Sequence, residues 1–287
     1  MKAPAFEYHD PTTLAEAIAL LCRLENARPL AGGQSLMPML NMRFVQPDHV
    51  VDLNRIAELS GIRVLPDGAL EIGAMTRQRD IERDARVAQA CPLMVEALAQ
   101  VGHRQTRNRG TIGGSLCHMD PAAELPLVCA AVDAVVRIAG PGGEREIPFA
   151  EFPLGYMTPA VGPDELLVGL HVPAAPKGQG HAFLEFARRH GDFAIVAVAV
   201  LLDPGPDGRV ARASVALGGV GPAPLRLAEA EALLRGTAVE DDAIARALAT
   251  TASLDPMEDA LVPGWYRRHL AGVLLGRALG IARERMA

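Results

Sequence analysis

Two glycine-centred segments carry the residues best suited to hold a ligand: Ala31-Gly32-Gly33-Gln34-Ser35 and Thr111-Ile112-Gly113-Gly114-Ser115. In each, adjacent glycines are followed within two residues by a serine. Glycine reaches backbone conformations that a Cβ forbids and lets a ligand come close to the peptide plane. Successive N–H groups can then converge on an anion, with a hydroxyl as a further donor. One Gly-Gly pair is also an ordinary turn. Two of similar form point to a ligand with two phosphates, or to one pyrophosphate held from both sides.

The commoner phosphate loops are missing. No G-x-G-x-x-G opens a helix after a strand, and no G-x-x-x-x-G-K-[ST] occurs, which removes the usual dinucleotide fingerprint and the usual ATP or GTP loop. Without a G-x-S-x-G elbow, Ser35 and Ser115 are not obvious hydrolase nucleophiles. Just before the second segment lie His103, Arg104, Arg107 and Arg109. They read either as a solvated basic turn or as a source of positive potential or partner contact. His118 and Asp120 are two possible metal ligands without a third, and Asp120-Pro121 reads better as the start of a helix. Cys22, Cys91, Cys117 and Cys129 form no C-x-x-C pair and fit neither zinc nor an iron–sulfur cluster within this chain. Cys22 and Cys129 lie in apolar stretches and read as small core residues.

Elements to position these residues can be read from periodicity and punctuation. Pro11 and a Thr13-x-x-Glu16 capping box open a helix over 13–24, and Ser35 to Met42 forms a short helix or turn behind the first loop. Strands are expected at 50–53, 70–73, 134–138 and 165–172, with helices at 88–101 and 122–131. Pro173 to Gly180 is the best linker. Beyond it come strands at 182–188, 194–202 and 211–217, then helices at 226–235, 241–251 and 265–285. Strands followed by helices indicate a separate α+β unit.

Composition narrows the function. The chain has 287 residues and a formal charge of −6, and its only lysines are Lys2 and Lys177. Mild acidity argues against nucleic-acid binding, and a 4% aromatic content offers few stacking platforms. No basic segment followed by an apolar core marks a signal peptide. The longest apolar run, Phe193 to Leu202, is about half a membrane span and reads as a buried strand. A cytoplasmic protein without a transmembrane segment is expected.

Taken in order, several segments resemble a known family. The two glycine loops, extended to Ala31–Leu36 and Arg107–Leu116, are joined by Ile72-Gly73-Ala74-Met75-Thr76-Arg77, Asp120-Pro121-Ala122-Ala123-Glu124-Leu125-Pro126, Arg188–Ala194 and Tyr266–Leu270. The set is similar to the medium, flavin-binding subunit of molybdenum hydroxylases, the carbon monoxide dehydrogenase and xanthine dehydrogenase group. The resemblance implies an α+β protein with a vanillyl-alcohol-oxidase (PCMH) type FAD-binding module of two α/β subdomains, 1–55 and 56–176. A C-terminal α+β domain, 177–287, follows, with a three-stranded sheet and helices.

The resemblance also implies that Ala31, Gly32, Gly33, Gln34 and Ser35, with Thr111, Ile112, Gly113, Gly114 and Ser115, bind the FAD pyrophosphate. Glu124 falls where an acidic residue lies near the ribose or adenine, and Leu167 where a residue lies beside the isoalloxazine ring, although a plain core role for Leu167 reads equally well. Gln34 stands where some relatives carry histidine, so no covalent tether is expected and FAD should dissociate. Glu185 stands where several relatives have lysine, and Phe193 where the carbon monoxide oxidisers have tyrosine, which weakens any assignment to that substrate. Substrate oxidation is expected at a molybdenum cofactor in a large subunit. Electrons then pass through two [2Fe-2S] clusters in a small subunit to FAD in this one, in a heterohexamer built as a dimer of heterotrimers. The alternatives are a stand-alone flavin oxidoreductase and a non-redox nucleotide-binding assembly protein.

Overall fold

The structure is a computed structural model that describes residues 2–287. Three short parallel strands, β1 (Glu7–His9), β2 (Ala27–Leu30) and β3 (His49–Asp52), form the first sheet in the order β1-β3-β2. Parallel strands need crossovers. Helices α1 (Leu14–Arg23) and α2 (Leu36–Asn41) supply them, in the β1-to-β2 and β2-to-β3 connections. The capping box forms: Thr13 Oγ1 accepts from the Glu16 N–H at 3.2 Å, and the Glu16 carboxylate accepts from the Thr13 N–H at 3.3 Å. Ala17 and Leu21 of α1 pack with Val51 and Leu53. Cys22, expected in the core, is exposed, because it lies one residue past that buried stripe.

The second sheet is antiparallel, built from β4 (Ile62–Val64), β5 (Leu70–Gly73), β6 (Val135–Gly140), β7 (Gly143–Pro148) and β10 (Leu166–Val172), in the order β4-β5-β10-β6-β7. A small ribbon of β8 (Pro153–Gly155) and β9 (Thr158–Pro159) precedes β10. Between β5 and β6 run α3 (Gln78–Arg83), α4 (Ala85–Ala90), α5 (Pro92–Gln100), α6 (Arg104–Arg109), α7 (Ile112–His118) and α8 (Glu124–Ala131). The single helix expected over 88–101 is thus two, because Pro92 lacks an N–H and starts a new helix at its first position. The expected helix start at Asp120-Pro121 also moves, to Glu124. Asp120 instead closes a turn, its carboxylate accepting from the Ala122 N–H at 2.8 Å.

The third sheet is antiparallel: β11 (Gly180–Phe186), β12 (Val196–Pro204), β13 (Val210–Gly218) and β14 (Leu225–Arg226). The last is a two-residue strand beyond the three expected. Helices α9 (Ala228–Leu234), α10 (Asp241–Ala249) and α11 (Gly264–Arg285) follow. Strand β12 explains the apolar run. Val196, Val198, Val200 and Leu202 pack with residues of α9 and α11, while Ala197, Ala199 and Leu201 join the core of the second sheet and its helices. A strand buried on both faces needs no polar alternation. The third sheet also satisfies the end of α8, since Ser214 Oγ donates to the Ala131 carbonyl at 2.6 Å and Arg226 to that of Ala130 at 2.8 Å.

Candidate functional site

The first glycine segment is the turn between β2 and α2. Gly33 has φ +74°, a conformation glycine takes without strain. Gly32 is constrained by its neighbour: a Cβ there would stand 2.3 Å from the Arg109 carbonyl oxygen and 2.7 Å from Gly110 Cα. Its missing side chain therefore lets the first segment lie against the approach to the second. Among the described residues, the N–H groups of Gly32, Gly33, Gln34 and Ser35 donate to no atom of the chain. Four consecutive free donors on a partly buried turn are an anion-binding arrangement. The Ser35 hydroxyl makes no cap bond, and the exposed Gln34 side chain reaches back only to the Gly32 carbonyl at 3.4 Å.

The second segment takes a different form. It is the first half of α7, with Thr111 as N-cap accepting from the Gly114 N–H at 3.1 Å. The Ile112 and Gly113 N–H groups donate to the carbonyls of Thr76 and Ala74 at 3.2 and 2.8 Å, and Ser115 donates to that of Thr111 at 3.2 Å. The turned-in N–H groups expected here are already engaged. What this segment offers an anion is the positive end of a short helix and the Ser115 hydroxyl. Its glycines serve packing: a Cβ on Gly113 would stand 2.6 Å from Ala74 Cβ, and one on Gly114 3.4 Å from Ala31 Cβ of the first segment. Both segments thus border one space.

A polar network that sequence reading missed holds them together. Asn54 Nδ2 donates to the Ala31 carbonyl at 2.9 Å and also to Asp52, while Asn54 Oδ1 accepts from Arg77 Nη2 at 2.5 Å. Arg77 Nη1 in turn donates to the carbonyl of Arg109. The Asn54–Arg77 pair therefore clamps the Ala31 carbonyl of the first segment and the Arg109 carbonyl on the approach to the second. Burial, with Arg109 nearby, holds the Arg77 guanidinium below its usual range. Arg77 stood inside a family-like segment. Nothing near Asn54 signals its role, and apart from Asp52 its partners, Ala31 and Arg77, are each 23 residues away.

The basic cluster divides. Arg107 is not part of a solvated turn: it is buried, with Nε 2.8 Å from Glu82 and Nη1 donating to the Val101 carbonyl at 2.8 Å. It is an internal ion pair. His103 lies beside His190, with ring centroids 6.2 Å apart, linking this approach to the 188–194 segment.

Glu124 sits at the start of α8, 5% exposed. Burial pushes its carboxyl up to about 8, and Glu185 and Asp120 add to the shift. Glu185 on β11 is raised to about 7 by burial, and its Oε2 is buried without a hydrogen-bond partner. Two acids thus face a common region where each favours its neutral form. Leu167 is 4% exposed within the core of the second sheet, packed as an ordinary core residue. At the far end of α7 an open cleft of about 650 Å³ is lined by Asp120, Ala122, Tyr156, Arg188, Phe193 and Arg267, among others. Three of the family-like segments meet there. Phe193 presents an exposed aromatic face, and Arg267 braces the wall by donating to the carbonyls of Ile195 and Gly219. Burial also raises Cys91 to about 11 and Cys117 to about 12, so neither is a ready nucleophile. Among the described residues no helix is long and apolar enough to cross a membrane.

Residues 4–175 match the family described as the FAD binding domain in molybdopterin dehydrogenase, and residues 181–282 the CO dehydrogenase flavoprotein C-terminal domain. The chain is 39% identical to the 6-hydroxypseudooxynicotine dehydrogenase complex subunit alpha of Paenarthrobacter nicotinovorans, covering 99% of this chain and 97% of that one. It is also 39% identical to the caffeine dehydrogenase subunit beta of Pseudomonas sp. strain CBB1, covering 100% and 97%. Its fold superposes on the carbon monoxide dehydrogenase structure from Hydrogenophaga pseudoflava with a TM-score of 0.96, at 39% identity over the whole of both chains.

Proposed function

The chain belongs to the FAD-binding medium-subunit family of molybdenum hydroxylases, and within that role we propose that Ala31–Ser35 and Thr111–Ser115 hold the pyrophosphate of FAD. The observation that carries this is the row of free N–H groups from Gly32 to Ser35, set against the N-terminus of α7. The donor set fits a diphosphate: backbone N–H groups from one side, a helix end and a serine hydroxyl from the other. The Asn54–Arg77 clamp keeps the two sides at a fixed spacing. Gln34 offers no covalent attachment, so FAD is held non-covalently.

FAD supplies the redox chemistry of the subunit when bound. This chain binds, orients and shields it. Glu124 hydrogen-bonds the sugar or adenine end through a carboxyl that burial favours as the neutral donor. The cleft lined by Asp120, Phe193 and Arg267 would receive the part of the cofactor beyond the pyrophosphate, and Leu167, buried in the second sheet, would stand beside the ring only as part of the packed wall behind it. We infer functional units at 1–55, 56–176 and 177–287, the first two forming the FAD module, a reading supported by each range holding one of the three larger sheets.

The partners are a large molybdenum-binding subunit and a small [2Fe-2S] subunit in a cytoplasmic dimer of heterotrimers, and electrons reach this subunit from the clusters. Relatives whose names carry substrates as different as caffeine and carbon monoxide match this chain over nearly its whole length, which supports substrate choice residing in another subunit. The test is the visible spectrum of the complex purified from its native host, before and after acid precipitation. Flavin released to the supernatant, with iron–sulfur absorption from co-purifying subunits, is the expected result. Flavin in the pellet overturns the non-covalent reading. Flavin without partners favours a stand-alone oxidoreductase, and an intact complex without flavin defeats the assignment of the loops.

A further inference from the structure

On the first sheet, away from the two loops, Glu7 of β1 lies opposite His49 of β3 in the parallel register. His9 is two residues beyond Glu7, so the strand pleat places all three side chains on one face. Tyr8 points the other way, its hydroxyl donating to Asp52 at 2.6 Å. His9 Nε2 and His49 Nδ1 are 3.2 Å apart. Two imidazole nitrogens bound to one tetrahedral zinc at their usual distance stand about 3.4 Å from each other. The Glu7 oxygens lie 3.8 Å from His9 Nε2 and 3.5 Å from His49 Nδ1, longer than a charge-assisted hydrogen bond and close to the spacing of ligands around one ion. The ligand atoms all fall within 4.8 Å of one another.

We propose that Glu7, His9 and His49 form a binding site for one divalent transition-metal ion, with zinc the best match to the donor set. Two imidazoles and a carboxylate are borderline ligands suited to zinc, and they leave a fourth position for water. A direct His9–His49 hydrogen bond accounts for two of the three groups but gives the Glu7 carboxylate no partner. A shared ion accounts for all three. The side chains of His9 and His49 are 16% and 22% exposed and that of Glu7 is 67% exposed, so the imidazoles are held by the sheet while the carboxylate closes from solvent. The ion's effect is a brace. It ties the edge strand β1 to β3, whose last residue, Asp52, receives Tyr8 and the Asn54 that holds the first loop.

The test is zinc binding by the purified complex, measured by competition with a chromophoric chelator and by elemental analysis. Zinc is read as the difference from a His9→Gln/His49→Gln double variant, because the partner subunits carry metals of their own. One zinc per medium chain is expected, weakened about tenfold or more in either single histidine variant and less in Glu7→Gln. Cobalt(II) in place of zinc should give tetrahedral d–d absorption that the double variant lacks. Circular dichroism and flavin content show whether the variants are folded. If a histidine variant fails to fold, Glu7→Gln, on an exposed side chain, still reports the site. Equal zinc affinity in the wild type and the variants, or no zinc retained by the wild type against the chelator, overturns the proposal.

Discussion

Among the described residues, the N–H groups of Gly32 to Ser35 in the first glycine segment find no acceptor, whereas in the second every N–H from Ile112 to Ser115 already has an oxygen acceptor. Two segments of the same pattern, Gly-Gly followed by serine, therefore owe their glycines to different demands. In the first, Gly33 supplies a left-handed turn and Gly32 permits backbone contact, leaving donors free. In the second, Gly113 lets α7 lie on the backbone of Ala74, and the donors are consumed in fixing the helix there. One segment is built to bind and the other to be positioned. Together they give a ligand a soft face of free amides and a rigid face anchored in the core.

The largest effect should separate the two glycines. Gly113→Val drives a side chain into the Ala74 backbone and should cost about 3 kcal/mol or more, leaving little folded protein. A Cβ in Gly33→Val meets only side-chain atoms, Met37 Cγ at 3.2 Å and Leu30 Cδ1 at 3.4 Å, so the chain should fold with a Tm lowered by several degrees. The φ of +74° is strained for valine, however, and flavin retention should be lost. Thermal melts and flavin-to-protein ratios on both variants read this directly. A stable Gly113→Val or a flavin-replete Gly33→Val would remove the distinction.

Arg77→Ala comes next. It frees the Arg109 carbonyl and leaves Asn54 with one partner fewer, so the two faces lose their fixed spacing. A fall of roughly tenfold to a hundredfold in FAD affinity is expected, since a hydrogen bond from a charged donor contributes about 1.5–3 kcal/mol. Fluorescence titration of flavin-stripped protein measures it, and Arg77→Lys should recover only part. Wild-type affinity in Arg77→Ala would show that the second segment needs no clamp.

Glu124 tests the rigid side through pH. Its folded value of about 8 lies above the ordinary 4.5, so the stability it contributes is fully present below about 4.5 and lost as pH climbs through 8. In flavin-stripped protein, Glu124→Gln should therefore match or fall slightly below wild type at pH 5 and exceed it at pH 8.5 by about 5 °C in Tm. Parallel pH profiles would mean that Glu124 is ionised in the fold. Gln34→Ala should have the smallest effect, a few-fold loss of FAD affinity by the same titration, because the side chain is exposed and makes one long hydrogen bond.

Much of this was legible in the chain because the cues were local. The capping box at Thr13 and Glu16, the hydroxyls after paired glycines and the uninterrupted apolar run of β12 each declare themselves within a few residues. What was missed depends on partners far apart in sequence. Arg107 looked like part of a basic turn because Glu82 lies 25 residues away, and Arg77 and Asn54 are joined only by the fold. The helical form of the second glycine segment was hidden for another reason. Glycine is a poor helix former, and here tertiary contacts to Ala74 and Thr76 override its preference. Cys22 shows the reverse error, an apolar residue on the solvent side of an amphipathic helix.

The most direct test is amide hydrogen exchange on the complex with FAD bound and after the flavin is removed, compared across residues 31–36 and 111–116. Free donors in the first segment should exchange fast without FAD and become strongly protected with it. The already bonded amides of Ile112 to Ser115 should change little. Unchanged exchange at Gly32 to Ser35, or a larger gain at the second segment than at the first, would contradict the assignment of the first loop as the phosphate-binding face.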